Sequence, residues 1–333
     1  MRRALACGPC YVLKNLLPDP FLLALFAALG LAAVLPATGV FAVAVDWLTS
    51  LTVVLLFFFH GAKLAREAVV AGLLHWRLHL LIMACTFVCF PLLGLLLSWL
   101  LAPWLSPVLW TGVLFLAALP STVQSSIAFV SLAKGNVPAA VAAASASQVL
   151  GVLLTPLLVS GLAGAQGADL PLGGIGKVAL LILLPFVVGH LLRPWIGDWV
   201  ARHKAAIAYS DRTTILLAIY GAFSAATLEG LWSRLPLADL GVLTGLCLVL
   251  LALVLLLTRS LARLGGFAPA DEAVIVFCGS KKSLVQGVPM ARVLFPGPDL
   301  GLILLPVMIF HQVQLMACVF IARRYARAAE AQA

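Results

Sequence analysis

Charge is scarce in this chain. Only 10% of its 333 residues are Asp, Glu, Lys or Arg, and the acidic ones are rarest, 12 against 21 basic. No HExxH, no GxSxG and no cofactor fingerprint occurs, and no aspartate pair falls inside an apolar run. The chemistry of metallopeptidases, serine hydrolases and intramembrane aspartyl enzymes is therefore missing, and no enzyme is expected. His60, His75, His79 and His190 stand at no metal-ligand spacing with Cys, Asp or Glu. Polar/apolar alternation is also absent, which excludes a membrane β-barrel. What remains is 63% hydrophobic side chains and a mean hydropathy of +1.14, a composition outside the range of soluble domains.

About 20 apolar residues are needed to cross a bilayer, so the length leaves room for roughly ten helices. Apolar runs between charged or Gly/Pro-rich breaks predict them at 20–36, 41–60, 78–100, 107–133, 137–160, 174–193, 207–229, 239–258, 271–295 and 299–322. The fold class expected is an all-α integral membrane protein. Residues 1–19 and 323–333 are expected as cytoplasmic ends of a single 20–322 domain in a bacterial inner membrane. Orientation follows from the basic residues: with the N-terminus inside, 15 Lys and Arg fall in cytoplasmic segments against three outside, Lys177, Arg234 and Arg292. The net charge of +9 thus describes topology and not a nucleic-acid footprint.

The start, MRRALACGPCYVLKN, has a basic beginning but reaches its apolar run only near Phe21, so a first helix is expected and not a cleaved signal. Cys7 and Cys10 have redox-motif spacing without strand–helix context, and Cys85, Cys89, Cys247, Cys278 and Cys318 lie inside apolar runs as small packing residues.

Two runs are unlike the rest. The fourth holds Leu119-Pro120-Ser121-Thr122-Val123-Gln124-Ser125-Ser126, and the ninth holds Gly279-Ser280-Lys281-Lys282-Ser283 followed by Gly287-Val288-Pro289. Both are interrupted by Pro or Gly, both are polar at mid-depth, and each is fourth in a set of five. Repeat one covers 20–160 and repeat two 174–322. An odd number of helices per repeat makes the second enter from the opposite side, which predicts two inverted repeats whose broken helices 4 and 9 cross at the midplane. A broken helix frees N–H groups at one new end, suited to an anion, and carbonyls at the other, suited to a cation.

At these residues the sequence resembles the bile acid:sodium symporters, in particular their SBF-like branch. The resemblance runs through Phe58-Phe59-His60-Gly61-Ala62-Lys63-Leu64, Leu74-His75-Trp76-Arg77-Leu78-His79-Leu80, Pro120 to Ser126, Ala133-Lys134-Gly135-Asn136 with Thr155-Pro156, and Phe277 to Leu284. It implies a panel of helices 1, 2, 6 and 7 and a core of helices 3–5 and 8–10. It also implies a secondary transporter that moves a small organic anion by alternating access, with sodium held at the crossing near Ser125 and Ser126. This sequence keeps only part of that ion site. Ser125 and Ser126 stand where the family has a Ser-Asn pair, and Thr86, five residues before Pro91, stands for a glutamine. Two hydroxyl ligands fall on Ala140 and Ala144, the glutamate becomes Phe277, and a nearby glutamine becomes Lys281.

The candidate substrate and ion residues are therefore Thr86, Ser121, Thr122, Gln124, Ser125, Ser126, Ser145, Gln148, Ser280, Lys281, Lys282 and Ser283, with Ser147, His311, Gln312 and Gln314 nearby. A lysine at bilayer depth costs about 2.5–3.5 kcal/mol, so a pair calls for a role. One ammonium can replace sodium while the other faces an anionic substrate; a lysine can instead carry a coupling proton, or both can snorkel to the cytoplasmic edge, or sodium coupling can survive on other ligands. A non-transporting regulator on a transporter scaffold is the alternative function.

Overall fold

The computed structural model describes residues 20–63, 75–165, 179–230 and 235–332. Arg2, Arg3, Lys14, Arg66, Lys177, Arg234, Cys7 and Cys10 lie outside the described residues, as do the segment 1–19 and parts of the second-helix motifs. Among the described residues every regular element is helical. In hydrocarbon the backbone has no water to bond, and a helix satisfies its N–H and C=O groups within one segment.

In chain order the helices are α1 (Pro20–Val34), α2 (Gly39–Lys63), α3 (Trp76–Leu100), α4 (Pro107–Ala118), α5 (Gln124–Leu132), α6 (Val137–Ala165), α7 (Leu184–Arg202), α8 (Lys204–Leu228), α9 (Leu237–Leu264), α10 (Pro269–Gly279), α11 (Leu284–Leu294) and α12 (Leu300–Gln332). Six helical runs are long and apolar enough to cross a membrane: Gly39–Lys63, Trp76–Leu100, Val137–Leu162, Leu180–Arg202, Leu237–Leu264 and Leu300–Ala331. Exposed Trp76 and Trp99 stand at the two ends of α3 and exposed Trp199 near the end of α7, where indole rings suit a membrane–water interface.

Two helix boundaries differ from expectation. The sixth run is expected to stop at 193, before Pro194, but α7 continues through that proline to Arg202, and prolines are tolerated within membrane helices. Its last two turns carry charge and tryptophan together, as an interfacial helix end does. Residues 323–332, expected as a tail beyond the last span, are helical and continuous with α12, with alanines that favour the helix. The third helix is not uniform: Cys85–Cys89 winds as a π turn. A second π turn, Ala179–Leu183, precedes Pro185 as the first precedes Pro91.

The helices sort into two sets by contact. In one, α2 lies along α7, and α8 packs on α1 and α2. The α2/α7 contact is set by two glycines: a Cβ on Gly61 would stand 1.9 Å from the Phe186 carbonyl oxygen, and one on Gly189 2.0 Å from that of Phe58. The backbones touch, which is how helices gain packing energy where lipid removes the hydrophobic drive. The other set joins α3 to α6 with α9 to α12, and α8 meets α11 and α12 where the sets adjoin.

Candidate functional site

The site forms where two helices are interrupted. α4 ends at Ala118, Leu119 turns extended (φ −68°, ψ 152°), and the chain becomes helical again at Gln124. α10 ends at Gly279, and Ser283, also extended (φ −86°, ψ 109°), caps α11 by accepting the Gln286 N–H at 3.3 Å. The two breaks are bonded directly, the Ser283 N–H donating to the Pro120 carbonyl at 2.9 Å.

Buried breaks must find partners for the backbone groups they release. α6 serves the first. Ser147 Oγ accepts the Ser121 N–H at 3.0 Å, Gln148 Nε2 donates to the Ser121 carbonyl at 3.4 Å, and Thr155 Oγ1 donates to the Ala118 carbonyl at 2.9 Å. α12 serves the second through one amide: Gln314 Oε1 accepts the Lys282 N–H and Gln314 Nε2 donates to the Lys282 carbonyl, both at 3.0 Å. Gln314 Nε2 also lies 2.9 Å from His311 Nδ1.

Both lysines are buried, 0% and 1% exposed, so neither snorkels to an edge. Their surroundings differ. Lys282 Nζ donates to the carbonyls of Thr86 at 2.8 Å, Ala117 at 2.7 Å and Leu119 at 2.6 Å, and sits 4.1 Å from the centre of the Phe90 ring. An ammonium has three protons, and here each has an acceptor. These carbonyls are free for specific reasons. An unbroken helix would give the Ala117 carbonyl the N–H of residue 121, but that N–H is held by Ser147. In the π turn the Phe90 N–H bonds the Cys85 carbonyl five residues back, and the same register would pair Thr86 with Pro91, which has no N–H. The Thr86 carbonyl is thus orphaned by the sequence itself. The Ala117 and Leu119 carbonyls add the negative end of the α4 dipole.

Lys281 is the opposite case. Its Nζ is buried with no hydrogen-bond partner and rests 3.7 Å above the Phe129 ring. Phe129 stacks on Phe277 at 5.9 Å, and Phe277 meets Tyr325 edge-on at 6.0 Å, so the residue expected at the carboxylate position is part of an aromatic wall.

The hydroxyls of the first break bond chiefly to one another and to backbone. Thr122 Oγ1 is 2.7 Å from Ser125 Oγ and 3.0 Å from Ser126 Oγ, Ser121 Oγ is 3.5 Å from Ser126 Oγ, and Ser126 Oγ donates to the Phe277 carbonyl at 3.1 Å. Ser280 Oγ is buried without a partner, as is Gln286 Oε1. Ser125 and Ser145 are half-buried, and Gln124 is exposed, outside the bonded cluster. Thr86 takes part through its carbonyl while its hydroxyl donates back to Ile82 at 2.8 Å. Gln286 and Phe90 were not expected from the sequence; an amide in an otherwise apolar stretch was the available sign of the first.

For sodium the fit is poor. Ala140 and Ala144 are buried and offer no side-chain oxygen, no carboxylate stands at the crossing among the described residues, and the freed carbonyls already hold an ammonium.

The chain has relatives over nearly its whole length. An uncharacterised protein of Pseudomonas aeruginosa is 57% identical over 312 residues, 93% of this chain and 94% of that one. YfeH of Escherichia coli, named a candidate symporter, is 52% identical over 312 residues, 94% of each. The rat protein named sodium/bile acid cotransporter 7 is 29% identical over 322 residues, 92% of each. The sequence profile of the SBF-like CPA transporters matches residues 19–327. A profile match of that extent, across both broken helices, means that this integral membrane protein belongs to the SBF-like CPA transporter family.

Proposed function

We propose that this protein is a secondary transporter that moves a small organic anion by alternating access at the crossing of its two broken helices, with the Lys282 ammonium standing where a sodium ion would otherwise sit. In this reading the chain crosses an inner membrane ten times with both ends cytoplasmic. The repeats 20–160 and 174–322 are inverted copies, and α1, α2, α7 and α8 form a panel against which the remaining helices rock. The observation that carries it is the Lys282 Nζ bonded to three freed carbonyls at 2.6–2.8 Å. Three short charge-assisted hydrogen bonds satisfy every proton of an ammonium and hold a positive centre at the negative end of a helix. A second cation, Lys281, lies one residue away over an aromatic face, without a hydrogen-bond partner among the described residues, and Ser280 Oγ next to it lacks a partner as well. A substrate carboxylate admitted when the crossing opens would supply the missing acceptor.

Uptake of candidate organic anions into proteoliposomes, with sodium, potassium or choline as the cation, tests the reading. Equal uptake in all three is expected, and Lys282→Gln should acquire a sodium requirement. Sodium-specific stabilisation of the unmodified protein would overturn the ammonium's assigned place. Absence of uptake for every anion under every gradient would overturn transport itself.

A further inference from the structure

Away from the crossing, the ends of α9 and α12 enclose a cavity of about 470 Å³ over the start of α10. On α12 the lining residues Ile321, Arg324, Tyr325, Ala328 and Ala329 recur at helical spacing, so one face of that helix forms a wall. On α9 the wall is Leu255, Leu256, Arg259 and Arg263, apolar toward the middle of the helix and basic at its end. The lining carries four cations, Lys134 with the three arginines, against one carboxylate, Glu272.

That carboxylate is already used. Glu272 is 8% exposed, its Oε1 accepts from Tyr325 Oη at 2.5 Å, and it lies 3.4 Å from both Arg259 Nε and Arg263 Nε. Each arginine meets it through Nε and remains 51% and 60% exposed, and both line the cavity. Arg324 is exposed and makes no ion pair among the described residues. A second cavity, of about 540 Å³, shares Ile321 and Arg324 and adds Arg323, Arg327 and Phe320, the last 68% exposed. The rule that places basic residues on one side of a membrane accounts for arginines here. It does not account for a recess beneath them, kept open by Ala328 and Ala329, with Leu256 63% exposed at its edge.

We infer that this recess binds an anionic phospholipid, the phosphate lying on Arg259, Arg263 and Arg324 and an acyl chain along Leu255, Leu256 and Ile321. Charge complementarity selects the headgroup, and the graded wall, apolar then basic along α9, matches the direction in which a lipid passes from chain to phosphate. The position joins α9, α10 and α12, so an occupant would brace the helix that leads into the second break.

Titration of the purified full chain in detergent, with melting temperature as readout, tests this. Phosphatidylglycerol and cardiolipin should raise the melting temperature, while phosphatidylethanolamine and inorganic phosphate should not. Arg324→Gln should weaken the apparent lipid affinity about fivefold, the effect of removing one basic residue. Ala328→Leu, which fills the recess without changing charge and suits a helix, should weaken it as well. Unchanged affinity in both variants overturns the site. An equal response to phosphatidylethanolamine overturns headgroup selection, and an equal response to inorganic phosphate makes it a free-anion site and overturns the lipid.

Discussion

Two joints in this molecule are built on opposite principles. The α2/α7 joint relies on the absence of side chains: Gly61 and Gly189 each admit the other helix's carbonyl to within a distance that any Cβ would forbid. The joint at the crossing relies on a side chain, Lys282, reaching into three carbonyls contributed by two other segments. The first is shape alone and is insensitive to ions. The second is electrostatic and exists only because helix breaks and a π turn left backbone acceptors without partners. The contrast separates a joint fixed by shape from a joint fixed by charge.

The largest effect is expected at the charged joint. Lys282→Met leaves the Thr86, Ala117 and Leu119 carbonyls buried without donors, and removing one partner of a buried charged network costs about 3–5 kcal/mol. Thermal melting in detergent should show the loss, and an unshifted melt would mean that water fills the vacated place. At the glycine joint, Gly61→Ala or Gly189→Ala should cost about 1–3 kcal/mol by overpacking. Because this penalty is steric, it should be the same in sodium and in choline, whereas the Lys282 variant should recover stability in sodium. Parallel salt responses in the two variants would erase the distinction between the joints.

A smaller effect of opposite sign is expected at Lys134, which holds φ 57° at the end of α5 while the Gly135 N–H bonds the Val130 carbonyl at 2.9 Å. That is the position a glycine normally takes in a helix-terminating turn. Lys134→Gly should stabilise the fold by about 1 kcal/mol, since the Glu330 pairing it loses is solvent-exposed. Melting at matched detergent concentration would check it, and destabilisation would mean that the exposed ion pair outweighs the strain.

The smallest stability effect should come from Lys281→Met, neutral or slightly stabilising, because no acceptor is orphaned. Uptake, by contrast, should be lost. A variant that melts as before and still transports would remove Lys281 from the substrate site and leave Lys282 alone at the crossing.

Much of this arrangement was legible in the sequence. Pro120 followed by hydroxyls, and glycine followed by two lysines, located both breaks, because such residues in an apolar run have few other uses. The close meeting of α2 and α7 was less legible, since Gly61 and Gly189 lie in unrelated runs and only the tertiary contact explains them. The division of labour between the two lysines could not be read. Adjacent residues in non-helical backbone point in different directions, and here the direction is fixed by Gln314 clamping the Lys282 peptide from α12. The acceptors were hidden for a further reason: they are main-chain oxygens, and residue types do not advertise main-chain atoms. The resemblance marks Thr86 by its place at a glutamine position, but its hydroxyl turns back on its own helix, and Pro91, five residues on, is the informative letter. Gln124 shows the converse, a polar side chain in the right segment on the exposed side of it.

An ion that is part of the polypeptide has no concentration. The Lys282 ammonium is supplied by translation, one per molecule, at the same place in brine and in fresh water, and it cannot be left behind on the far side of the membrane. Its chemical potential is therefore identical at both faces. On the proposed reading no difference exists across the bilayer for it to run down, and whatever drives net flux through the carrier must be carried by a species that can depart.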